Sequence, residues 1–457
     1  MTPGSQAAPT ESVDVIVIGG GPAGASAAAR LALDERSVLV LERAPMPRFH
    51  IGESLIPGAL AVLEQLGVLD QVVAEGYPDK FGAEFCSTYG FTTRIPFDEQ
   101  GPGRHPQAFN VERAHFDKLM LDAARAYGAK VIEGANVESV QMHEGRAIGV
   151  CYRLGAEAHE VRAPYVIDAG GRASRISRMF DLRKKIDELR MVAVFKHYAG
   201  FDDANHHGVA GDLQIGQHRD GWVWAIPIRS DVISIGAVMP EEVFRAGKPA
   251  HLFDDHLSRI KRICDRISGA EPIVDVRVAR DYSYYSDVVA GPGWLMVGDS
   301  ACFMDPLFSG GLTLALTTGV RAAETVSELL SEPSREAALL EHYSNFLKTG
   351  YDMYARLIRS YYDHNYSLLP LMVAVGIDVR KGHVTDSKDL VKLMSGDFWD
   401  AGNTANAILR ADASMDTFSP FAPVLECPHY AAGATQPDGR LAKPLRIRNA
   451  SVAVRGT

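Results

Sequence analysis

Residues 13–42 read VDVIVIGGGPAGASAAARLALDERSVLVLE. The run VDVIVIG, 13–19, is almost wholly apolar and rich in β-branched residues, which predicts a parallel strand buried on both faces. PAGASAAARLAL, 22–33, predicts a helix of small residues, and SVLVLE, 37–42, a second buried strand. Together they make one βαβ unit. Between the first strand and the helix, Gly19, Gly21 and Gly24 occupy the three glycines of G-x-G-x-x-G. A lone match to that pattern is weak. Here it follows a strand, opens a helix, and Glu42 closes the next strand near the expected acidic position, so the context is specific for a dinucleotide. Gly19 permits the tight turn and Gly21 lets backbone approach a pyrophosphate. Gly24 lets helix and strand pack closely. The free N–H groups of the helix start face the phosphates, and Glu42 can accept from ribose hydroxyls.

Working outward, YVIDAGG (165–171) and WLMVGD (294–299) read as further strands of the same sheet, so the nucleotide unit is assembled from distant segments. WVWAIPI (222–228) and VISIGAV (232–238) alternate across the polar turn Arg229-Ser230-Asp231, which predicts an antiparallel hairpin in a second sheet. Helical periodicity dominates 312–331 and 334–362. The last thirty or so residues, rich in Gly, Pro and Arg, read as irregular, and MTPGSQAAPTES as a frayed tail without a signal peptide.

The 457 residues carry a net charge of −10 and no long basic run, which argues against nucleic acid as the main partner. No window is long and apolar enough to predict a membrane span. The five scattered cysteines, with no CxxC, point to a reducing, cytoplasmic setting and to neither a disulfide framework nor a zinc site. Asp202, Asp203, His206 and His207 lie in a polar loop without metal-ligand spacing, so no metal is expected. Asp254 and Asp255 read as the wet face of a helix. The absence of G-x-S-x-G argues against acyl transfer. Asn449-Ala450-Ser451 matches a glycosylation sequon that a cytosolic chain would not use.

The Rossmann turn does not choose between NAD and FAD. VGDSACFMDPLFSGGLTLAL, 297–316, resembles the Gly-Asp segment of FAD-dependent aromatic hydroxylase-like enzymes. That resemblance implies Asp299 on the flavin ribityl chain and the helix near Gly311 aimed at the isoalloxazine. It implies Arg113 along the dinucleotide, and further cofactor contacts from Pro22, Ala23, Arg43, Pro306 and Leu312.

Four separated motifs narrow the resemblance. GWVWAIP, 221–227, carries Trp222 and Trp224 in the W-x-W-x-I-P pattern of flavin-dependent halogenases. Phe303, Pro306, Ser309 and Gly311 meet F-x-x-P-x-x-S-x-G. PRFHIGESLIP, 47–57, resembles their G-E-S segment, and PDKFGA, 78–83, the segment bearing their essential lysine, here Lys80. YDMYARLIRSYYDHNY, 351–366, resembles the aromatic helix of the phenolic and pyrrolyl branch, and Phe308 stands where tryptophan halogenases carry Glu. The resemblance implies an α/β fold: a Rossmann-type FAD-binding domain (1–78, 110–184 and 276–332), an antiparallel-sheet substrate domain (79–109 and 185–275) and a C-terminal helical region with irregular tail (333–457).

It also implies a chemistry. FADH₂ and O₂ give a C4a-hydroperoxide, which oxidises chloride or bromide to hypohalous acid, with the halide held by backbone N–H groups of Gly310 and Gly311. Many relatives have Ser or Thr where this chain has Gly310. Trp222, Trp224, Phe303, Ser309, Tyr361 and Tyr362 would lie on the tunnel and substrate side. Lys80 would receive the oxidant, as a haloamine or through a hydrogen bond, and pass it to an electron-rich aromatic ring, free or tethered to an acyl or peptidyl carrier protein. Taken alone, Lys80 beside Phe81 and Phe85 reads rather as a side chain that buries its stem and keeps its charge in water; the ordered motifs reverse that reading. With no second G-x-G-x-x-G for NAD(P)H, a separate flavin reductase is expected as partner. The sequence does not identify the base for the final proton loss; Tyr361, Tyr362, Asp363 and His364 are candidates by their place in the aromatic helix, and each reads rather as core, cap or solvated face. Two alternatives remain: a flavin monooxygenase or reductase of the same fold, and a catalytically silent flavoprotein that docks a carrier protein.

Overall fold

The structure, a computed structural model, describes residues 11–203, 208–280, 282–364, 366–375 and 388–429. Residues 1–10 of the N-terminal tail, His206 and His207, the sequon at Asn449 and the irregular C-terminal tail lie outside the described residues, whereas Glu11–Ser12, expected to fray, pair in parallel with Val161 and Arg162.

The opening stretch folds as its pattern dictates. Val15–Ile18 and Val38–Glu42 are fully buried parallel strands flanking the helix Pro22–Leu33. They sit inside a sheet that has six strands among the described residues, with Tyr165–Asp168 and Trp294–Met296 on one side and Lys130–Glu133 on the other, and the antiparallel Ala290–Gly291 closes the edge. Gly19 turns the chain at φ +97°, a conformation an L side chain rarely adopts. A Cβ on Gly24 would stand 1.9 Å from the Gly19 carbonyl oxygen. The same closeness recurs where the helix crosses Gly310–Ser331: a Cβ on Gly319 would stand 2.4 Å from the Ala23 carbonyl oxygen, and Ser26 donates to the Leu316 carbonyl at 3.2 Å.

The second sheet is the larger. Among the described residues it has ten strands, and the hairpin Gly221–Pro227 with Val232–Pro240 forms its centre in the register Trp222↔Val238 and Trp224↔Gly236. Period-two alternation sends Trp222 and Trp224 into the main core, while Val223 and Ala225 face a second core under the helix Pro249–Ser258. Asp254 and Asp255 lie on the exposed face of that helix. The strands Arg277–Ala279 and Tyr282–Ser286 pair with Arg183–Ala199 and so belong to this sheet, although the sequence grouped residues from 276 onward with the nucleotide unit. Their pairing partners lie about a hundred residues upstream, which local pattern cannot report.

The helix Glu336–Tyr362 runs across both units. Tyr343 donates to the Met296 carbonyl at 2.6 Å, and Trp399 stacks on Phe346 at 4.8 Å. Among the described residues, no helix is long and apolar enough to cross a membrane.

Candidate active site

The strand ends, the two helix starts and the 303–311 loop converge on a cavity of about 490 Å³, within the range of cofactor sites. Gly19, Gly21, Pro22, Ala23, Glu42 and Arg43 line it together with Asp299, Phe303, Pro306, Ser309, Gly311 and Leu312. Glu42 is held by its own turn, accepting from the N–H of Gly20 at 2.6 Å and of Ala44 at 2.8 Å. Gly24 faces the Gly19 carbonyl and makes no part of the lining. Arg113 is buried and lines the cavity. Its guanidinium pairs with Asp117 at 2.7 Å and donates to the carbonyls of Ile51 at 2.8 Å and Gly52 at 3.2 Å. It is thus no surface ion pair. His50, beside it, is pushed down to about 4 by burial and then by the Arg113 charge.

These features fit FAD. The starts of two helices line the cavity, and the first N–H groups of a helix have no partner within it, as phosphates and an electron-rich ring require. Gly311 leaves open a space that a side chain would fill, with nothing within 4 Å of a Cβ placed there.

Ser309 adopts a left-handed conformation, φ +58°, and hands the chain into the helix Gly310–Ser331. The two glycines there differ. Gly311 opens on the cavity, whereas the buried N–H of Gly310 donates to the Tyr354 hydroxyl at 3.2 Å, and that hydroxyl donates to the Asp305 carbonyl at 3.1 Å. A Cβ on Gly310 would stand 2.5 Å from the Tyr354 ring, so the absent side chain makes room for the tyrosine. Gly310→Ser is therefore expected to cost about 1–3 kcal/mol, read as a lowered unfolding temperature. In a Tyr354→Ala background, itself costly because the ring is buried, adding Gly310→Ser should cost much less than it does in the wild type.

Lys80 lies beyond the wall of the flavin cavity, in the short pair Asp79–Lys80 with Ala108–Phe109. It is 1% exposed and lines a separate chamber of about 10 Å³, room for one water-sized particle. The nine other residues lining that chamber are hydrocarbon or thioether, among them Phe85, Phe97, Phe308 and Met394, and Leu213 lines both spaces. Phe81 faces outward. The snorkelling alternative fails, because the amine is sealed in along with the stem. Nζ donates to Ser54 Oγ and to the Leu55 carbonyl, each at 2.9 Å. Burial depresses its pKa to about 7, partly opposed by Asp212.

Trp222 and Trp224 line the flavin cavity. The Trp222 indole donates to the Tyr362 hydroxyl at 2.8 Å. Tyr361 and Tyr362 line neither space; Tyr361 packs edge-on behind Phe308 at 5.8 Å. Burial drives both hydroxyls well above the ordinary phenol range. Asp363 caps its helix and His364 is exposed.

Sequence reasoning missed three groups. Arg48 lines the cavity, with its Nε 3.8 Å from Glu42. Glu53 is 2% exposed, lines the cavity and meets His197 Nε2 at 3.0 Å. Ser54 and Asn110 hold the lysine. The G-E-S segment was visible; its partners at 110 and 197 carry no pattern.

Comparison with known proteins agrees with this geometry. A family profile described as an FAD binding domain matches residues 12–348. A tryptophan 2-halogenase of Chondromyces crocatus is 30% identical over 363 residues, 78% of this chain and 68% of that one. A 1H-pyrrole-2-carbonyl-[peptidyl-carrier protein] chlorinase of Pseudomonas fluorescens is 29% identical over 377 residues, 77% and 84% of the two chains. The flavin-dependent brominase Bmp2 superposes with a TM-score of 0.77 at 28% identity, covering 88% of this chain and 98% of that one. With its nucleotide fingerprint, its flavin-sized cavity and these relatives, the chain belongs to the flavin-dependent halogenases, FAD-dependent oxidoreductases built on the FAD binding domain.

Proposed function

We propose that this enzyme halogenates an electron-rich phenolic or pyrrolic ring by way of the Lys80 amine. The observation that carries the reading is the sealed amine itself: a depressed lysine in a hydrocarbon chamber, one side chain away from the flavin cavity. Glu42, Arg43 and Arg113 would hold the dinucleotide, Asp299 the ribityl chain, and Pro306, Gly311 and Leu312 the ring system. Bound FADH₂, with O₂ and chloride or bromide, supplies hypohalous acid. Gly311 offers its N–H to a halide; Gly310 shares its own with Tyr354. Trp222, Trp224, Phe303 and Ser309 wall the route and keep the substrate from the flavin.

At Lys80 an N–halogen bond forms as the O–halogen bond breaks, and the displaced proton leaves with hydroxide as water. The ring then takes the halogen and returns a hydrogen to the amine side of the exchange. Phe308 is plain hydrocarbon where a tryptophan halogenase carries Glu, so no carboxylate at that position stabilises a cationic ring intermediate. The ring's own oxygen or nitrogen lone pair must do so, which supports a phenol or pyrrole. Carrier tethering is supported by the name of the Pseudomonas relative. The scattered cysteines, together with the need for an NADH-fed reductase, support a cytoplasmic setting.

The test is reconstitution with FAD, a flavin reductase, NADH, O₂ and each halide, offering free and carrier-tethered phenols and pyrroles, with products read by mass spectrometry. Hydroxylated products alone across that panel would favour the monooxygenase reading.

A pH dependence follows. Only the neutral amine has a lone pair, so halogenated product per flavin oxidised should rise as pH passes about 7 and level off about a unit higher, while flavin oxidation does not follow the same curve. Folding stability moves in the same direction. Between about pH 7 and the ordinary lysine value near 10.4, the unfolded chain binds a proton that buried Lys80 does not. Stability therefore gains from this group as pH rises through that window.

A further inference from the structure

The hydrogen bonds around Lys80 have a fixed direction. The carbonyl of Gly211 can only accept, and Asn110 Nδ2 donates to it at 2.7 Å. That turns Asn110 Oδ1 toward Ser54, and an amide oxygen can only accept. Ser54 Oγ therefore spends its single hydrogen on Asn110, at 2.7 Å. Toward Lys80 the Ser54 oxygen is left as an acceptor, at 2.9 Å from Nζ. The Leu55 carbonyl, also 2.9 Å from Nζ, can only accept.

The amine is thus asked for two hydrogens. A neutral amine has two hydrogens and one lone pair, while an ammonium has three hydrogens. The remaining direction points into the chamber, where an ammonium's third N–H would meet hydrocarbon, with the Phe97 ring centroid 5.2 Å away. No carboxylate pairs with Lys80 among the described residues. Asp212, whose charge acts on it, is already engaged by Arg94 at 2.7 Å and by the N–H of Phe81 at 2.9 Å. Glu53, one residue before Ser54, is engaged by His197.

The frame that carries these groups is rigid. Ser54 bridges Asn110 in antiparallel fashion, and the Leu55 N–H donates to the Phe109 carbonyl at 2.9 Å. A Cβ on Gly211 would stand 1.7 Å from the Asp79 carbonyl oxygen, so the acceptor at the head of the relay lies hard against the lysine's own strand. Asn110 and Ser54 are 0% and 5% exposed, so water does not compete for these bonds.

We propose that Ser54 and Asn110 are positioning residues that hold Lys80 Nζ as a two-fold donor and aim its one lone pair into the chamber. The inference rests on the reading of Lys80 as the amine that receives oxidised halogen. In it, Asn110 never touches oxidant or ring, and acts only by deciding which way the Ser54 hydroxyl points.

The test uses full-length protein loaded with FAD, comparing halogenated product per flavin oxidised in Ser54→Ala, Ser54→Thr and Asn110→Leu. Because Ser54 also lines the cofactor cavity, the readout is this ratio and not total activity. Ser54→Ala and Asn110→Leu are each expected to lose about 10-fold or more in coupling, the first by removing the acceptor and the second by freeing the Ser54 hydrogen to turn onto the amine's lone pair. Ser54→Thr, which keeps the hydroxyl, should stay within a few-fold of wild type. Wild-type coupling in a folded Ser54→Ala or Asn110→Leu overturns the proposal. So does a folded Ser54→Thr that fails as badly as Ala, which would show packing rather than the hydroxyl at work. If Ser54→Ala does not fold, Asn110→Leu decides. Failure of the underlying reading is distinguishable, because Lys80→Ala would then still halogenate. As a readout without turnover, reductive methylation of Lys80 by formaldehyde at a pH where the amine is neutral, followed by mass spectrometry, should be slower in Asn110→Leu than in wild type.

Discussion

Lys80→Ala is expected to abolish halogenated product, by on the order of 10³-fold or more, the scale of removing a group that reacts covalently. FAD binding and flavin oxidation should persist, because Lys80 lines the small chamber and not the cofactor cavity. The separation makes the result interpretable. A general loss of fold would reduce both signals together, whereas loss of the amine should leave reduced flavin consumed without product. The truncation leaves Ser54 Oγ and the Leu55 carbonyl short of a donor, and a single water in the enlarged chamber can supply it. Lys80→Met is the matched control, since it keeps the stem's volume while removing the donor and the lone pair. A variant that halogenates at the wild-type rate would remove Lys80 from the mechanism.

Gly24→Val should be equally severe at the other end of the molecule. Its Cβ would overlap the Gly19 carbonyl oxygen at 1.9 Å. Neither partner is a flexible side chain tip: both are backbone, one in the turn and one in the first turn of the helix. Relief requires the helix to lift from the sheet, which displaces the N–H groups that face the dinucleotide. We expect purified protein without FAD, or insoluble protein, with bound flavin reduced by about 10²-fold, measured by flavin absorbance per chain. Gly311→Ala meets nothing within 4 Å and serves as the contrasting glycine, folding normally and reporting on the ligand side alone.

These two positions also mark what the sequence could and could not tell. Gly24 was legible because its demand is local: strand, turn and helix are contiguous, and a glycine three residues into a helix weakens that helix unless close packing requires it. The hairpin at Trp222 and the long helices were legible for the same reason, through period two and period 3.6. Lys80 is the opposite case. Its own neighbourhood fits a surface lysine, and only the ordered company of other motifs suggested otherwise. What makes it unusual is supplied by Ser54 and Leu55 about 25 residues before it and by Asn110 and Gly211 after it, through bonds that leave no periodic trace. The same holds for Tyr354. Nothing in FMDPLFSGG announces that the first glycine of its pair is short of a side chain because a tyrosine 44 residues later needs the room.

The chamber around Lys80 has one wall that is chemically soft. Met394, the last residue of the helix Lys388–Met394, lines the same chamber as the amine. A thioether is readily converted to a sulfoxide, which is polar where the wall must be apolar. On the proposed chemistry, oxidant generated while no ring is present can meet that thioether in the chamber wall. Wasted cycles then wear the enzyme from the inside, and its working lifetime is set by how faithfully flavin reduction is kept in step with substrate arrival.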